Sequence, residues 1–236
     1  VATWWRTAEA VQDLSLSRGT KAYIIQHDER VFNERQEHRA ERDAVEKSWH
    51  LPMHRIVVAK WIADEMNRSG VTDDIAVVPN AVDHSLFHAP KRGKQARPTI
   101  GMLFAPVRFK GCDIGFAAFE LAKKAIPQLR MLCLSEPDPP PGIPEGVEFV
   151  CRPNQEQIRE VYAACDAWLF CSRSEGFGLP ILEAMACRTP VIGTPAGAAP
   201  DLIPHGGGVL VPYDDPVAMS DAIKQLLGLT EDDWIR

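Results

Sequence analysis

Apolar and polar positions alternate in blocks along the chain. Short apolar runs of strand length, such as residues 55–59 and 167–171, precede longer stretches in which apolar residues recur at helical spacing. Strands that alternate with helices in this way are typical of parallel βαβ units. The pattern therefore predicts an α/β fold built on parallel sheets.

The blocks fall into two series. Residues 1–82 hold a series that is too short for a whole doubly wound domain, and residues 83–97 are polar and contain Pro90 and Gly93, so they are predicted to be a linker. A second series covers residues 98–236 and has about six strands with covering helices, as expected of a nearly complete Rossmann-like domain.

A glycine-bearing loop joins the strand at 167–171 to a helix. Gly176 and Gly178 lie in the loop, and Pro180 suits a first helical turn. The first N–H groups of a helix have no intrahelical partner and carry the positive end of its dipole, and glycines let the backbone approach a phosphate closely. The loop is thus a predicted anion site, although a tight turn without a ligand is a common alternative for so short a pattern.

Two carboxylates flank this predicted anion site. Glu175 lies in the loop, and Glu183 lies about one turn into the helix. Because a carboxylate repels a phosphate, both are expected to accept hydrogen bonds from hydroxyl groups instead. A diphosphate with a hydroxyl-rich group on each side is a nucleotide sugar.

Two cations follow the first strand of the second series. Arg108 and Lys110 lie in a loop after the strand at 99–104, and loops at the carboxyl ends of parallel strands converge on one crevice. A guanidinium fork and an ammonium point charge form a suitable pair for a diphosphate. From the residues alone, two solvated surface charges remain the alternative.

Composition excludes several classes of function. Because the net charge is −6, general electrostatic attraction to nucleic acids is not expected. The six cysteines include no C-x-x-C pair and lie mostly in apolar runs, so they are expected to be reduced core residues in a reducing compartment. No signal peptide and no apolar run of membrane-spanning length are found, and a cytoplasmic location is expected.

The sequence around the loop resembles the signature of a known family. Glu175 and Glu183 are separated by seven residues that include Gly-Phe-Gly-Leu-Pro, and Ala-Met-Ala follows the second glutamate. This pattern closely resembles the retaining glycosyltransferases of family four (glycosyl transferases group 1), which have the GT-B fold. Residues 79–83, Pro-Asn-Ala-Val-Asp, are similar to the segment that ends the first domain of this family, with Ala81 where glycine is usual.

The resemblance implies the domain organisation. Residues 1–82 would be the C-terminal part of the N-terminal, acceptor-side domain, and residues 98–236 would be most of the C-terminal, nucleotide-sugar-binding domain. The last crossover helix of the family is not found, so the chain is expected to be a fragment with little activity of its own.

The resemblance also implies roles for residues. Lys110 and Arg108 would contact the donor diphosphate, although they lie closer together than is usual in the family. Glu183 would hold the ribose, and Glu175 would hold the transferred sugar. The remaining implied positions are Gly176, Phe177, Gly178 and Leu179 at the phosphates, Arg152 and Pro153 beside the base, and His27 on the acceptor side. No metal, cofactor or protein nucleophile is implied.

The implied reaction is retaining transfer of a hexose or deoxyhexose from a nucleoside diphosphate sugar. The acceptor would be a glycan, a lipid-linked molecule or another compound, as in polysaccharide biosynthesis, and the absent N-terminal part could bind the membrane surface peripherally. Residues 26–29, Gln-His-Asp-Glu, are loosely similar to a segment of rhamnosyl-type polysaccharide transferases. The alternatives are a non-catalytic nucleotide-sugar-binding module or pseudoenzyme partner and, more weakly, a nucleotide-sugar epimerase.

Overall fold

The computed structural model describes residues 1–33 and 39–235 as an α/β protein with parallel strands, as the alternating pattern predicts. It divides the chain into two compact units. The first comprises Val1–Asn80 with Glu175–Phe177, and the second comprises Ala81–Ser174 with Gly178–Arg236. Arg236, at the end of the predicted second domain, lies outside the described residues.

The first unit contains a parallel sheet in the order β1-β2-β3. Its register pairs Tyr23 with Arg55 and Ile56 with Ala76. Helices connect the strands, as parallel pairing requires. The elements are α1 (Trp5–Gln12), β1 (Ala22–Ile25), α2 (Arg39–Trp49), β2 (His54–Val57), α3 (Lys60–Arg68) and β3 (Ile75–Val77).

A half-buried arginine connects two helices of the first unit. Arg30 has a side chain that is 17% exposed, and it forms ion pairs with Asp28 at 2.9 Å, Glu46 at 3.1 Å and Glu65 at 2.6 Å. Its guanidinium lies 4.4 Å from the centroid of the Trp49 ring. Because Glu46 lies on α2 and Glu65 on α3, this arginine stabilises the packing of two helices, and its charge is compensated within the fold.

The second unit contains a six-stranded parallel sheet in the order β6-β5-β4-β7-β8-β9. The chain builds outward from β4 in one direction and then from β7 in the other, so a topological switch point lies between β4 and β7. The elements are β4 (Thr99–Phe104), α4 (Cys112–Ala125), β5 (Arg130–Ser135), β6 (Val147–Cys151), α5 (Gln155–Ala163), β7 (Ala167–Phe170), α6 (Leu179–Ala186), β8 (Val191–Gly193), α7 (Ala199–Leu202), β9 (Gly208–Leu210), α8 (Pro216–Leu227) and α9 (Glu231–Ile235).

Apolar side chains cover both faces of this sheet. One cluster includes Ile100, Phe119 and Ile223, and the other includes Tyr162, Trp168 and Ile181. Full burial of one such side chain contributes about 1.5–3 kcal/mol. The central strands are therefore apolar on both sides, which explains why they read as continuous apolar runs in the sequence.

The predicted linker at 83–97 lies within the second unit and packs against its core. Phe87 is 8% exposed and lies in the core, and Arg92 donates hydrogen bonds to the Cys165 carbonyl at 2.5 Å and to Thr189 Oγ1 at 2.7 Å. The polar composition of the segment concealed these two anchoring residues. The assignment of the two units to acceptor-side and donor-side domains stays a prediction.

Within residues 1–33 and 39–235, none of the helices has the length and apolar character needed to cross a membrane.

Candidate functional site

The two cations predicted at the phosphates lie in a tight turn that follows β4. Arg108–Lys110 form one turn of 3₁₀ helix, and Gly111 follows in the left-handed region with φ of 64°. A Cβ atom on Gly111 would lie 2.0 Å from the carbonyl oxygen of Cys171. The Lys110-Gly111 pattern therefore needs glycine, because the turn packs directly against the end of β7.

The structure brings this turn to the loop that follows β7. The backbone N–H of Arg173 donates to the Phe109 carbonyl at 2.7 Å, which joins the two loops at the switch point. Arg108 is exposed, whereas Lys110 is half-buried with its Nζ 5.6 Å from the centroid of the Phe109 ring. A cationic turn thus lies beside the loop with the predicted anion site.

Helix α6 begins in this second loop. Its N-cap is Gly178, with φ of 99°, and a Cβ atom there would lie 2.9 Å from the Phe170 ring. Pro180 occupies the first turn as predicted, and Leu179 is 40% exposed. The first N–H groups and the positive end of the helix dipole thus lie next to the carboxyl end of β7.

Glu183 lies in α6 and forms a hydrogen bond that the sequence did not predict. Its Oε2 accepts a hydrogen bond from the Tyr162 hydroxyl at 2.7 Å. Burial raises the pKa of Glu183, and the hydrogen bond from Tyr162 opposes this shift. The only sequence signal for Tyr162 is a phenol among the apolar positions of α5.

Arg173 is a second residue whose contacts the sequence did not predict. Its side chain bonds to Asp113 at 2.8 Å, to Asp214 at 2.5 Å and to the Arg108 carbonyl at 2.5 Å. The Arg173 guanidinium lowers the pKa of Asp113 by hydrogen bonding. The available signal in the sequence was an arginine three positions after the last residue of β7.

Three of the predicted loop residues, Glu175–Phe177, belong to the first unit. Within that unit the Trp61 indole donates to the Gly176 carbonyl at 2.7 Å. A Cβ atom on Gly176 would lie 1.8 Å from the Gln26 carbonyl and 3.4 Å from the His27 Cβ. Gly176 is thus required for close backbone packing, and the structure places His27 beside it.

Arg152 and Pro153, predicted beside the base, follow β6, which β5 separates from β4. Arg152 has φ of 50° and pairs with Asp138 at 2.8 Å. Hydrogen bonding to Asp138 raises the pKa of Arg152. This pair ties the proline-rich loop after β5 to the residues that precede α5.

A switch point with a cationic turn on one side and a glycine loop that leads to a helix N-terminus on the other belongs here to an α/β protein with the GT-B fold. The sequence also assigns the chain to a family. Residues 98–228 match the family described as glycosyl transferases group 1, and the chain belongs to this family. The predicted membership of glycosyl transferases group 1 and the predicted GT-B fold are both confirmed.

Curated proteins and solved structures are similar to this chain. The chain is 43% identical over 74 residues to N-acetyl-alpha-D-glucosaminyl L-malate synthase of Bacillus anthracis, which is 31% of this chain and 19% of that protein. Its fold resembles sucrose-phosphate synthase of Thermosynechococcus elongatus, with a TM-score of 0.81 and 22% identity over 99% of this chain and 65% of that one.

A second solved structure is HepE of Anabaena in complex with UDP and glucose, with a TM-score of 0.76 and 18% identity over 98% of this chain and 69% of that one. The chain spans less than half the length of the curated relatives with which it was aligned.

Proposed function

We propose that this chain carries the donor-binding part of a retaining, metal-independent glycosyltransferase that uses a nucleoside diphosphate sugar. The observation that supports this most strongly is the switch point, where the turn at Arg108–Lys110 contacts the loop that leads into α6. In open α/β sheets, ligands bind outside the carboxyl ends of the strands at such a point.

In this proposal the diphosphate is the leaving group. Lys110, Arg108 and the N–H groups from Phe177 to Leu179 stabilise the negative charge that develops on it as the bond to the anomeric carbon breaks. Cations and dipoles held in place by the fold need no reorganisation during the reaction, so they take the role that a divalent metal has in other transferases.

The two glutamates bind the groups on either side of the diphosphate. Glu183 accepts hydrogen bonds from the ribose hydroxyls, and Glu175 accepts them from the transferred sugar. The acceptor oxygen bonds to the anomeric carbon on the face that the phosphate leaves, and the acceptor proton passes to the departing phosphate oxygen. The protein therefore supplies binding and charge stabilisation and no covalent nucleophile.

The nucleotide and the acceptor belong to the same proposal. The related HepE structure contains UDP and glucose, which supports a nucleoside diphosphate donor. The acceptor is a glycan or a lipid-linked molecule, as in polysaccharide biosynthesis, and His27 faces it. Arg152 and Pro153 contact the base. A hexosyl or deoxyhexosyl donor fits the hydroxyl-binding role of Glu175.

Isothermal titration calorimetry of the chain with UDP, GDP, ADP and dTDP tests the proposal, with each titration repeated in EDTA. At least one nucleotide should bind, and its affinity should be the same in EDTA. The bound nucleotide should also raise the melting temperature, because a ligand of the folded state stabilises that state. Binding to none of the four would refute the donor site, and binding only with a divalent ion would refute the metal-free mechanism.

A further inference from the structure

The hydroxyl of Tyr162 is held in place by the core. Tyr162 is 2% exposed, and its ring centroid lies 4.3 Å from that of Trp168 and 6.1 Å from that of Phe87. Its main-chain carbonyl accepts a hydrogen bond from Thr189 Oγ1 at 2.6 Å. A ring enclosed in this way cannot change rotamer without disturbing its neighbours, so the hydroxyl is a donor at a fixed position.

This fixed donor restricts the Glu183 carboxylate. The Tyr162 hydroxyl donates to Oε2 at 2.7 Å, and the side chain of Glu183 is half-buried. A carboxylate has two oxygens and about four acceptor sites, so Oε1 keeps its capacity to accept hydrogen bonds from a ligand. The bond to Tyr162 removes rotational freedom that the carboxylate would otherwise lose on binding.

We propose that Tyr162 is a positioning residue that orients Glu183 for recognition of the ribose hydroxyls of a nucleotide. This inference rests on the proposed donor site. It differs from a purely structural role for the tyrosine, in which loss of the hydroxyl would change stability and leave the preference for ribose as it is.

The test compares UDP with 2′-deoxy-UDP and 3′-deoxy-UDP, or the matching GDP or ADP sets if the chain prefers a purine. Tyr162→Phe keeps the ring and removes the hydroxyl. The preference of the wild type for the ribonucleotide should fall by about fivefold, the scale of one hydrogen bond. Arg159→Gln, on the same helix, removes a surface ion pair with Glu156 and should keep the full preference.

Glu183→Asp supplies a second variant that leaves the core intact. It keeps the charge on a shorter side chain and draws the carboxylate away from Tyr162, so the preference for ribose should fall as in Tyr162→Phe. An unchanged preference in either folded variant would overturn the positioning role while the donor site stands. If the wild type bound none of the nucleotides, the donor site and the inference would both fall.

A separate group of contacts surrounds Arg173. Its backbone N–H and its Nη1 donate to the carbonyls of Phe109 and Arg108, both within the cationic turn. The guanidinium also pairs with Asp113, at the start of α4, and with Asp214, after β9. Two carboxylates compensate its charge, and its side chain is only 19% exposed.

We infer that Arg173 positions the Arg108–Lys110 turn and does not itself bind phosphate. Its donors are directed at two main-chain carbonyls of that turn, and both of its ion-pair partners are supplied by the fold. The placement of the two cations therefore depends on an arginine that follows a different strand. This inference also rests on the proposed donor site.

The affinity gained from the second phosphate measures how well the turn places Arg108 and Lys110 for contact with a diphosphate. We compare UDP with UMP, because the difference reports contacts to the β-phosphate. Arg173→Gln should reduce the advantage of UDP over UMP by about tenfold, the scale of a charge-assisted hydrogen bond. The ribose preference should stay at its wild-type value, whereas Tyr162→Phe should show the reverse pattern, so each variant is the control for the other.

The double variant Asp113→Asn with Asp214→Asn separates positioning from direct binding. It frees the guanidinium from its carboxylates and keeps the arginine. If Arg173 positions the turn, the advantage of UDP over UMP should fall. A larger advantage would show that Arg173 binds phosphate and would overturn the inference, as would an Arg173→Gln variant with an unchanged advantage.

Discussion

The amino ends and the carboxyl ends of the parallel strands form two sides of the six-stranded sheet, called here the amino edge and the carboxyl edge. Each has a carboxylate whose pKa is raised by burial, but the two carboxylates differ in how many of their oxygens are occupied by the fold. At the amino edge, Asp166 Oδ1 accepts the Gln95 N–H at 2.6 Å and Oδ2 accepts the Thr99 N–H at 2.8 Å. At the carboxyl edge, Glu183 has the Tyr162 hydroxyl on Oε2. Asp166 is 1% exposed, whereas Glu183 is half-buried.

The arginines at the two edges differ in the same way. Arg92, at the amino edge, donates to the Cys165 carbonyl and to Thr189 and lies 4.8 Å from the Trp234 ring centroid. Arg173, at the carboxyl edge, holds a turn that carries two further cations. A raised pKa is therefore found both for a structural carboxylate, Asp166, and for a candidate functional one, Glu183. The two are distinguished by whether a carboxylate oxygen can still accept a hydrogen bond from a ligand.

Removal of each carboxylate provides the strongest test of this contrast. Asp166→Ala should lower the free energy of unfolding by about 3 kcal/mol, because two buried N–H groups lose their acceptor. Glu183→Ala should cost about 1 kcal/mol, since one hydroxyl loses its acceptor and the carboxylate itself is partly exposed. Urea unfolding measures both, and equal costs would remove the distinction between the edges.

The cations of the turn should affect nucleotide affinity and leave stability nearly unchanged. Lys110→Ala should weaken UDP binding by about 1.5–3 kcal/mol, the scale of charge-assisted hydrogen bonds, and Arg108→Ala should weaken it by the same amount or less. Lys124→Ala, at the exposed end of α4, is the matched control. If Arg108 alone mattered, the roles assigned within the turn would be wrong.

Substitution of the two glutamates should change ligand affinity in different ways. Glu183→Gln keeps the shape and loses the charge, so it should weaken UDP and UDP-glucose alike by about five- to tenfold. Glu175→Gln should leave UDP affinity nearly unchanged and lower the extra affinity for UDP-glucose by about tenfold, or roughly 1.4 kcal/mol. Calorimetry with both ligands measures this, and equal effects on UDP would refute the division of roles.

The smallest expected effect is a change of UDP affinity with pH. Because burial raises the pKa of Glu183, its ionised form is lost at a higher pH than for an ordinary glutamate as the solution is acidified. UDP affinity should therefore fall on acidification before most carboxylates titrate. The ratio of wild-type to Glu183→Gln affinity isolates this effect, since titration of the UDP phosphate is common to both, and a ratio independent of pH would contradict it.

Local features of the sequence determined a large part of the fold. Strand-length apolar runs and helical periodicity predicted the parallel α/β architecture, and the strand at 99–104 has the predicted bounds. Asn154 caps α5, and its side chain and that of Gln157 bond to each other's backbone N–H. These features depend on residues a few positions apart, where periodicity and capping act.

The tertiary structure alone decided the contacts that support the candidate site. Tyr162 meets Glu183 across 21 residues of sequence, and Arg173 meets Asp214 across 41 and Asp113 across 60. The contacts of Phe87 and Arg92 with the rest of the second unit are of the same kind. Such pairs depend on strand order, because the neighbouring position of β4 and β7 brings distant loops together, and no local pattern encodes that order.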